Sequence, residues 1–346
     1  MEKVGIITFL HNDNYGSSLQ AYALQRVIWE MGMACEHLDY APDRAEKVRN
    51  LLRSHNNPKL ILEGMRKKQV RDAQEGARAK HDAFPAFYQR YMRLSDPARN
   101  LNELRERSMD DTILLCGSDQ IWNPVWLNQA YFLTFGKGQR KVAYAASLGI
   151  SAPPAAAKAR MIRKWTADFQ AVSVREEEGA RLFRQMTGRE AEVMPDPVCL
   201  LSRTEWEEIA GDPPAKEPYL LCYFIGENPA YWERVRQLEE ETGMKALVMP
   251  VTSESFQSGR QILEGLGPEG FLGAVKGASC LCTDSFHGLV FGTVFGVRTE
   301  VLRRYREADP ESKNSRIDQF RRLMKDTGME ALRDMGRSWL QATLIK

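Results

Sequence analysis

No apolar run in this sequence reaches the ~20 residues that a membrane-spanning helix needs, so no transmembrane segment is expected, and only peripheral membrane contact stays open. Charge imbalance is almost missing: 48 Lys and Arg against 46 Asp and Glu leave a net charge of +2. A dedicated nucleic-acid binder carries a large basic excess, and no nucleic-acid partner is expected. A basic segment followed by an apolar one is also lacking at the start, where Met-Glu-Lys-Val-Gly-Ile-Ile-Thr-Phe enters a strand pattern directly. No signal peptide is expected, and the chain reads as cytoplasmic. Cys-x-x-Cys does not occur. The six cysteines (Cys35, Cys116, Cys199, Cys222, Cys280 and Cys282) lie mostly in apolar runs, as reduced buried thiols do. Cys280-x-Cys282 puts two thiols on one strand face, but nothing beside it resembles a zinc site, so no metal is expected. Histidine is scarce, with His11, His37, His55, His81 and His287 only.

What remains is an ordinary globular composition, 43% hydrophobic and 27% charged over 346 residues, too long for one typical core. Strand-like runs alternate with helix-length segments: Val4 to Leu10, a helix from Ser17 to Met31, Glu36 to Tyr40, Ile113 to Cys116, Val142 to Ala146, Ala171 to Val174, a helix from Glu176 to Met186, and Glu192 to Met194. Such alternation predicts βαβ units and parallel sheets. Residues 42–106 form a charged helical insertion, in which Phe84, Phe87, Tyr88 and Tyr91 recur at helical spacing and read as packing. Gly211-Asp-Pro-Pro-Ala-Lys-Glu-Pro218 reads as a linker. After it come strands at Tyr219 to Phe224, Ala246 to Met249 and Ser279 to Cys282, with helices between, then helices at Arg316 to Lys325 and Met329 to Ala342. The expected fold class is α/β, two doubly wound Rossmann-like domains, residues 1–205 and 215–346, the last helix packing back on the first domain.

Four loops at strand ends concentrate polar residues. Thr283-Asp-Ser-Phe-His-Gly288 follows an apolar strand and leads into an apolar helix. Asp284 and Ser285 are capping types, which puts His287 in the first helical turn, where N–H groups and the helix dipole favour an anion. The second loop is His11-Asn12-Asp13-Asn14-Tyr15-Gly16-Ser17-Ser18, also before a helix. The third is Gly117-Ser118-Asp119-Gln120-Ile121-Trp122-Asn123, and the fourth places Arg175 at a strand end. Each has a bland alternative: a βα turn for the Asn-, Asp- and Gly-rich loop, a surface ion pair for Arg175, a satisfied polar residue for His287. In open α/β sheets, however, ligands bind beyond the carboxyl ends of strands.

These loops, in order with KVAYAASLG, VSVREEEGARLF, PDPVCLL, TDSFHGLVFGTVFG and KNSRIDQF, resemble the polysaccharide pyruvyl transferase family over residues 3–320. The resemblance implies a fold like that of GT-B glycosyltransferases, with the active site in an interdomain cleft. It implies transfer of pyruvate from phosphoenolpyruvate, a donor substrate rather than a cofactor, to a sugar or lipid-linked saccharide acceptor, giving a cyclic ketal. In that chemistry His287, Asp13 and Arg175 are the catalytic candidates. His287 suits acid–base work, and Arg175 with Lys313 or Arg316 suits the donor's anions. His11, Asn12, Asn14, Tyr15, Gly16, Ser118, Asp119, Trp122, Asp284, Ser285, Lys313, Asn314 and Arg316 are the substrate-binding candidates. Many family members carry a GDxA/E-like first loop where this chain has NDNYGSSLQ, so the acceptor stays open. Two other readings use the same fold: a glycosyltransferase taking a nucleotide sugar, and a non-catalytic binding protein.

Overall fold

A computed structural model describes residues 2–53, 76–107, 109, 112–304 and 314–345. The chain forms two compact units. Met1–Ile61, Tyr88–Leu201 and Gln319–Lys346 make the first, and Leu62–Phe87 with Ser202–Asp318 make the second.

The first unit contains β1 (Lys3–Ile7), α1 (Tyr15–Glu30), β2 (Cys35–His37) and α2 (Arg44–Arg53), and it shares α3 (Ala77–Tyr91) with the second. It continues with α4 (Leu101–Glu106), β3 (Thr112–Cys116), β4 (Lys141–Ala146), α5 (Ala156–Trp165), β5 (Ala171–Val174), α6 (Glu177–Thr187) and β6 (Glu192–Val193). Among the described residues its sheet has the order β2-β1-β3-β4-β5-β6, parallel throughout. The strands VGII, ILLC and KVAYAA are buried on both faces, which is why they read as continuous apolar runs rather than as alternating ones. The run that begins at Val4 leaves the sheet after Ile7, and Thr8-Phe9-Leu10 pass into the first polar loop. In the helical insertion Phe84, Phe87 and Tyr88 are buried, consistent with packing. His55 lies outside the described residues.

The second unit contains α7 (Arg203–Glu207), β7 (Tyr219–Tyr223), α8 (Pro229–Thr242), β8 (Lys245–Val248), α9 (Ser253–Phe256), β9 (Gln261–Ile262), α10 (Pro268–Gly277), β10 (Cys280–Thr283), α11 (Phe286–Phe295) and β11 (Arg298–Val301). Its parallel sheet runs β11-β10-β7-β8-β9. Both outermost strands, β9 and β11, escape a sequence reading because short, polar edge strands show no apolar run. The proline-rich segment expected as a linker packs inside this unit: Gly211 N donates to Glu269 O at 2.8 Å, and a Cβ on Gly273 of α10 would run into Gly211 O.

Two helices end the chain, α12 (Asn314–Asp326) and α13 (Gly328–Leu344). α13 lies on the first unit. Trp339 Nε1 donates to Glu192 Oε1 at 2.7 Å and Arg337 Nε to Leu200 O at 2.8 Å. Gly336 has no room for a side chain, since its Cβ would stand 2.5 Å from the Tyr144 hydroxyl. All six cysteines are buried and unbridged. Among the described residues no helix is long and apolar enough to cross a membrane.

Candidate active site

In the first sheet the chain passes from β1 to β2 on one side and later returns to lay β3 on the other. A crevice forms outside the carboxyl ends of strands where the winding reverses. The loops after β1 and β3 meet there. Gly117 N donates to Ile7 O at 2.9 Å, Thr8 Oγ1 to Ser118 O at 2.9 Å, and Ser17 Oγ to Asp119 Oδ2 at 2.5 Å. Asn14 caps α1 by accepting from Ser17 N, and Asn12 Nδ2 donates to Ser17 Oγ at 3.1 Å. Three non-glycine residues of these two loops, His11, Asp13 and Asp119, have φ of +58°, +48° and +71°. Such backbone costs of order 1–3 kcal/mol per residue and concentrates at functional sites.

Behind the loops lies a charged hub. Arg175 is 4% exposed, with Nη1 2.5 Å from Asp196 Oδ2, Nε 3.2 Å from Glu176 Oε1 and Nη2 4.0 Å from Asp119 Oδ1. Burial opposes its charge, but Glu176, Asp196 and Asp119 outweigh that and hold it firmly cationic. Ser147 Oγ donates to Glu176 and Ser118 Oγ to Asp196. Gln319 of α12 donates to Arg175 O and accepts from Glu177 N. The hub thus ties together the loops after β3, β4, β5 and β6.

At the β1 end of the crevice, His11 Nε2 stands 2.6 Å from Asp39 Oδ1. Asp39 follows β2, where Ser95 Oγ accepts from its N–H and Ala98 N donates to its carbonyl. The His11 ring sits edge-on to Tyr88 with centroids 6.2 Å apart. Tyr88 exchanges a 2.7 Å hydrogen bond with Ser18 Oγ, and burial pushes its phenol up to about 12.

In the second sheet the winding reverses between β7 and β10. Asp284, just past β10, closes that point. Its carboxylate accepts from Ile225 N at 2.7 Å, Gly226 N at 2.8 Å, Tyr231 Oη at 3.3 Å and Arg304 Nε at 2.8 Å. Ser285 is the N-cap of α11 and accepts from Gly288 N at 3.2 Å. His287 sits half-buried in the first turn, edge-on to Phe286 at 5.3 Å. Gly288 is obligatory because a Cβ there would lie 2.5 Å from Thr283 Oγ1, so α11 packs directly against the end of β10.

Among the residues expected at the site, His11, Asn12, Asp13, Asn14, Tyr15, Gly16, Ser118, Asp119 and Arg175 lie together at the carboxyl edge of the first sheet, while Asp284, Ser285 and His287 lie at that of the second. Arg316 is half-buried in α12. Lys313 and the Asn314 side chain lie outside the described residues. One expectation needs correction. Trp122 is a core residue, fully buried, stacked on Phe132 at 5.2 Å, with Nε1 donating to Tyr131 O. Its neighbours in sequence are polar, but the large ring is worth most buried. The Asp284 carboxylate meets two backbone N–H groups, the Tyr231 hydroxyl and the Arg304 guanidinium, and Ser285 caps α11. Sequence reasoning missed Asp39, Glu176 and Asp196. Each is an acid at the end of a strand or helix, and only strand order shows which partner it meets. His37 is buried and kept neutral, lowered to about 4 by desolvation, with Nε2 donating to Ala21 O. Among the described residues no group of three or more His, Cys, Asp or Glu is placed to hold a metal ion.

Two parallel, doubly wound α/β units, each with polar loops at its winding reversal, define an α/β fold of the Rossmann-like kind. The chain belongs to the polysaccharide pyruvyl transferase family, whose model matches residues 14–302. Among solved structures, a protein from Listeria monocytogenes assigned as a UDP-N-acetylglucosamine 2-epimerase is 12% identical, with 99% of this chain and 95% of that chain covered at a TM-score of 0.51. Another UDP-N-acetylglucosamine 2-epimerase is 13% identical, with 100% and 97% covered at a TM-score of 0.50. At such identities the likeness is one of fold, and fold does not carry activity. No curated protein sequence matches the chain.

Proposed function

We propose that this enzyme moves the pyruvyl group of phosphoenolpyruvate onto two hydroxyls of a saccharide belonging to a cell-surface polysaccharide or its precursor. The family match over residues 14–302 carries the reading. In the reaction C3 of the donor gains a proton and C2 becomes electrophilic. One hydroxyl oxygen bonds to C2 and loses its proton. The C2–O bond to phosphate then breaks, phosphate leaves with the electron pair, and the second hydroxyl oxygen bonds to C2 and loses its proton, closing the ketal.

His287 is the acid–base group in this reading. Its place in the first turn of α11 supports it, since an imidazole beside helical N–H groups can serve both proton transfer and a nearby anion. Arg175, held firmly cationic at the end of β5, is the group assigned to the donor's carboxylate in this reading. Arg316, with Lys313, supplies further cationic groups for phosphate.

The test is phosphate release from phosphoenolpyruvate against a panel of saccharide acceptors, with mass spectrometry of the acceptor to detect the ketal. Phosphate release matched by ketal formation is the expected result. If no acceptor releases phosphate while UDP- or GDP-sugars raise thermal stability, the nucleotide-sugar reading replaces this one. A ligand at 100 times its Kd adds about 2.7 kcal/mol to folding stability.

A further inference from the structure

We propose that His11, held by Asp39, is a second proton-transfer residue, the base that takes the proton from an attacking saccharide hydroxyl. The inference rests on the pyruvyl-transfer reading for its reaction and on geometry for its placement. Closing a ketal removes protons from two hydroxyls and delivers one to C3 and one to the departing phosphate. Each hydroxyl proton must pass to an acceptor as its oxygen bonds to C2; the group that protonates C3 can regain one, and the other reaches the departing phosphate through a base beside the hydroxyl.

His11 meets the requirements of such a base. An ionised carboxylate only accepts hydrogen bonds, so the 2.6 Å contact puts the imidazole proton on Nε2. Nδ1 is then a lone pair, and among the described residues it has no hydrogen-bond partner. The side chain is 37% exposed at the carboxyl edge of the sheet, beside the winding reversal, while Asp39 is largely enclosed at 13%. A carboxylate behind a histidine fixes its tautomer and stabilises the imidazolium that forms when the other nitrogen takes a proton. The charged and titratable groups around it are Asp39, Asp13 two residues on, and Tyr88, whose buried phenol keeps its proton and does not compete as a base. The backbone gives independent support. His11 and Asp13 are both held at positive φ, a conformation that a plain βα turn fills with glycine or asparagine. In the step assigned to it, the hydroxyl oxygen forms its bond to C2 as its proton passes to His11 Nδ1, and the imidazolium is then paired with Asp39. His11 touches the substrate; Asp39 positions His11.

The experiment combines kinetics with 15N NMR of histidine-labelled full-length enzyme. His11→Gln should lower turnover by ~10²–10⁴-fold while the Kd for phosphoenolpyruvate stays within about twofold. Asp39→Asn should lower kcat with little change in the acceptor KM. The NMR signal assigned by its loss in His11→Gln should show a proton on Nε2 and a bare Nδ1, the tautomer should invert in Asp39→Asn, and saccharide should shift the Nδ1 resonance. Full turnover in His11→Gln, or a proton on Nδ1 in the unaltered enzyme, overturns the proposal. Failure of the pyruvyl-transfer reading looks different, because the unaltered enzyme then releases no phosphate with any acceptor. In that case the saccharide-induced Nδ1 shift decides, and its absence sinks the assignment of His11 as well.

Discussion

At the winding reversal of the first sheet, Asp119 takes a serine hydroxyl and its neighbour's N–H, and the His11 side chain at the same sheet edge is partly exposed. At the reversal of the second, Asp284 takes two backbone N–H groups, a phenol and a guanidinium, and its side chain has no exposed surface. Both carboxylates stitch one strand-end loop to another. The difference is what stands next to them. The first loop holds strained, partly exposed polar side chains over a buried charged hub, and the second holds a rigid turn from which one half-buried histidine is presented by a helix. The same topological position can thus be built as an open set of side chains or as a closed backbone clamp, and the identity of neighbouring residues decides which.

The strongest test of this comparison is chemical. His287→Ala should cut turnover by ~10²–10⁴-fold with phosphoenolpyruvate binding retained by calorimetry. Full activity would make the second loop a clamp and nothing more. Next in size is the hub. Arg175→Ala leaves Asp196, Glu176 and Asp119 enclosed without a cation and should cost about 3–5 kcal/mol in denaturant unfolding. Arg175→Lys should recover part of that stability but bind phosphoenolpyruvate more weakly than the unaltered enzyme, because an ammonium lacks the guanidinium's fork. Unaltered donor binding in Arg175→Lys would reduce Arg175 to a structural role.

Acid should weaken the first unit through His37. Buried His37 is neutral in the fold, with its value lowered to about 4 by desolvation, whereas an unfolded histidine takes up a proton near 6.5. Its contribution is present above about 6.5 and is lost as pH falls toward 4, roughly 3 kcal/mol in all. Unfolding measured from pH 7 to 4 should show that loss in the first unit, and His37→Gln should flatten it. Asp284→Asn comes next, at about 1.5–3 kcal/mol. The new amide sets an N–H₂ against donors that the carboxylate accepted from, and the midpoint of denaturation reads it. Smallest is the stability effect of His11→Asn, within about 0.5 kcal/mol, since the side chain is partly exposed and asparagine tolerates positive φ. A large loss there would place His11 with the structural residues and erase the contrast between the loops.

The parallel α/β class was legible because buried parallel strands leave apolar runs such as ILLC and CLCT between helical segments. His287 in the first turn of α11 was legible because Ser285 is a capping residue at the end of such a run. The limits were equally physical. β9 and β11 are short and polar, so nothing in composition separates them from loops. Trp122 stands among loop-forming residues yet fills the core, because the loop folds its ring inward against Phe132 and Phe183. The pairing of His11 with Asp39 bridges 28 positions, and that of Arg175 with Asp196 bridges 21. Strand periodicity carries no information on such partners.

The sequence by itself therefore determined the alternation of strands and helices, the capping serine that starts α11, and the polar loops at strand ends, since each depends on local propensity or on a few neighbouring residues. Tertiary structure alone decided which of those loops share a winding reversal, which acids face which cations, and that one histidine gained a carboxylate behind it. Those facts follow from strand order, and strand order is settled by packing between segments far apart in the chain.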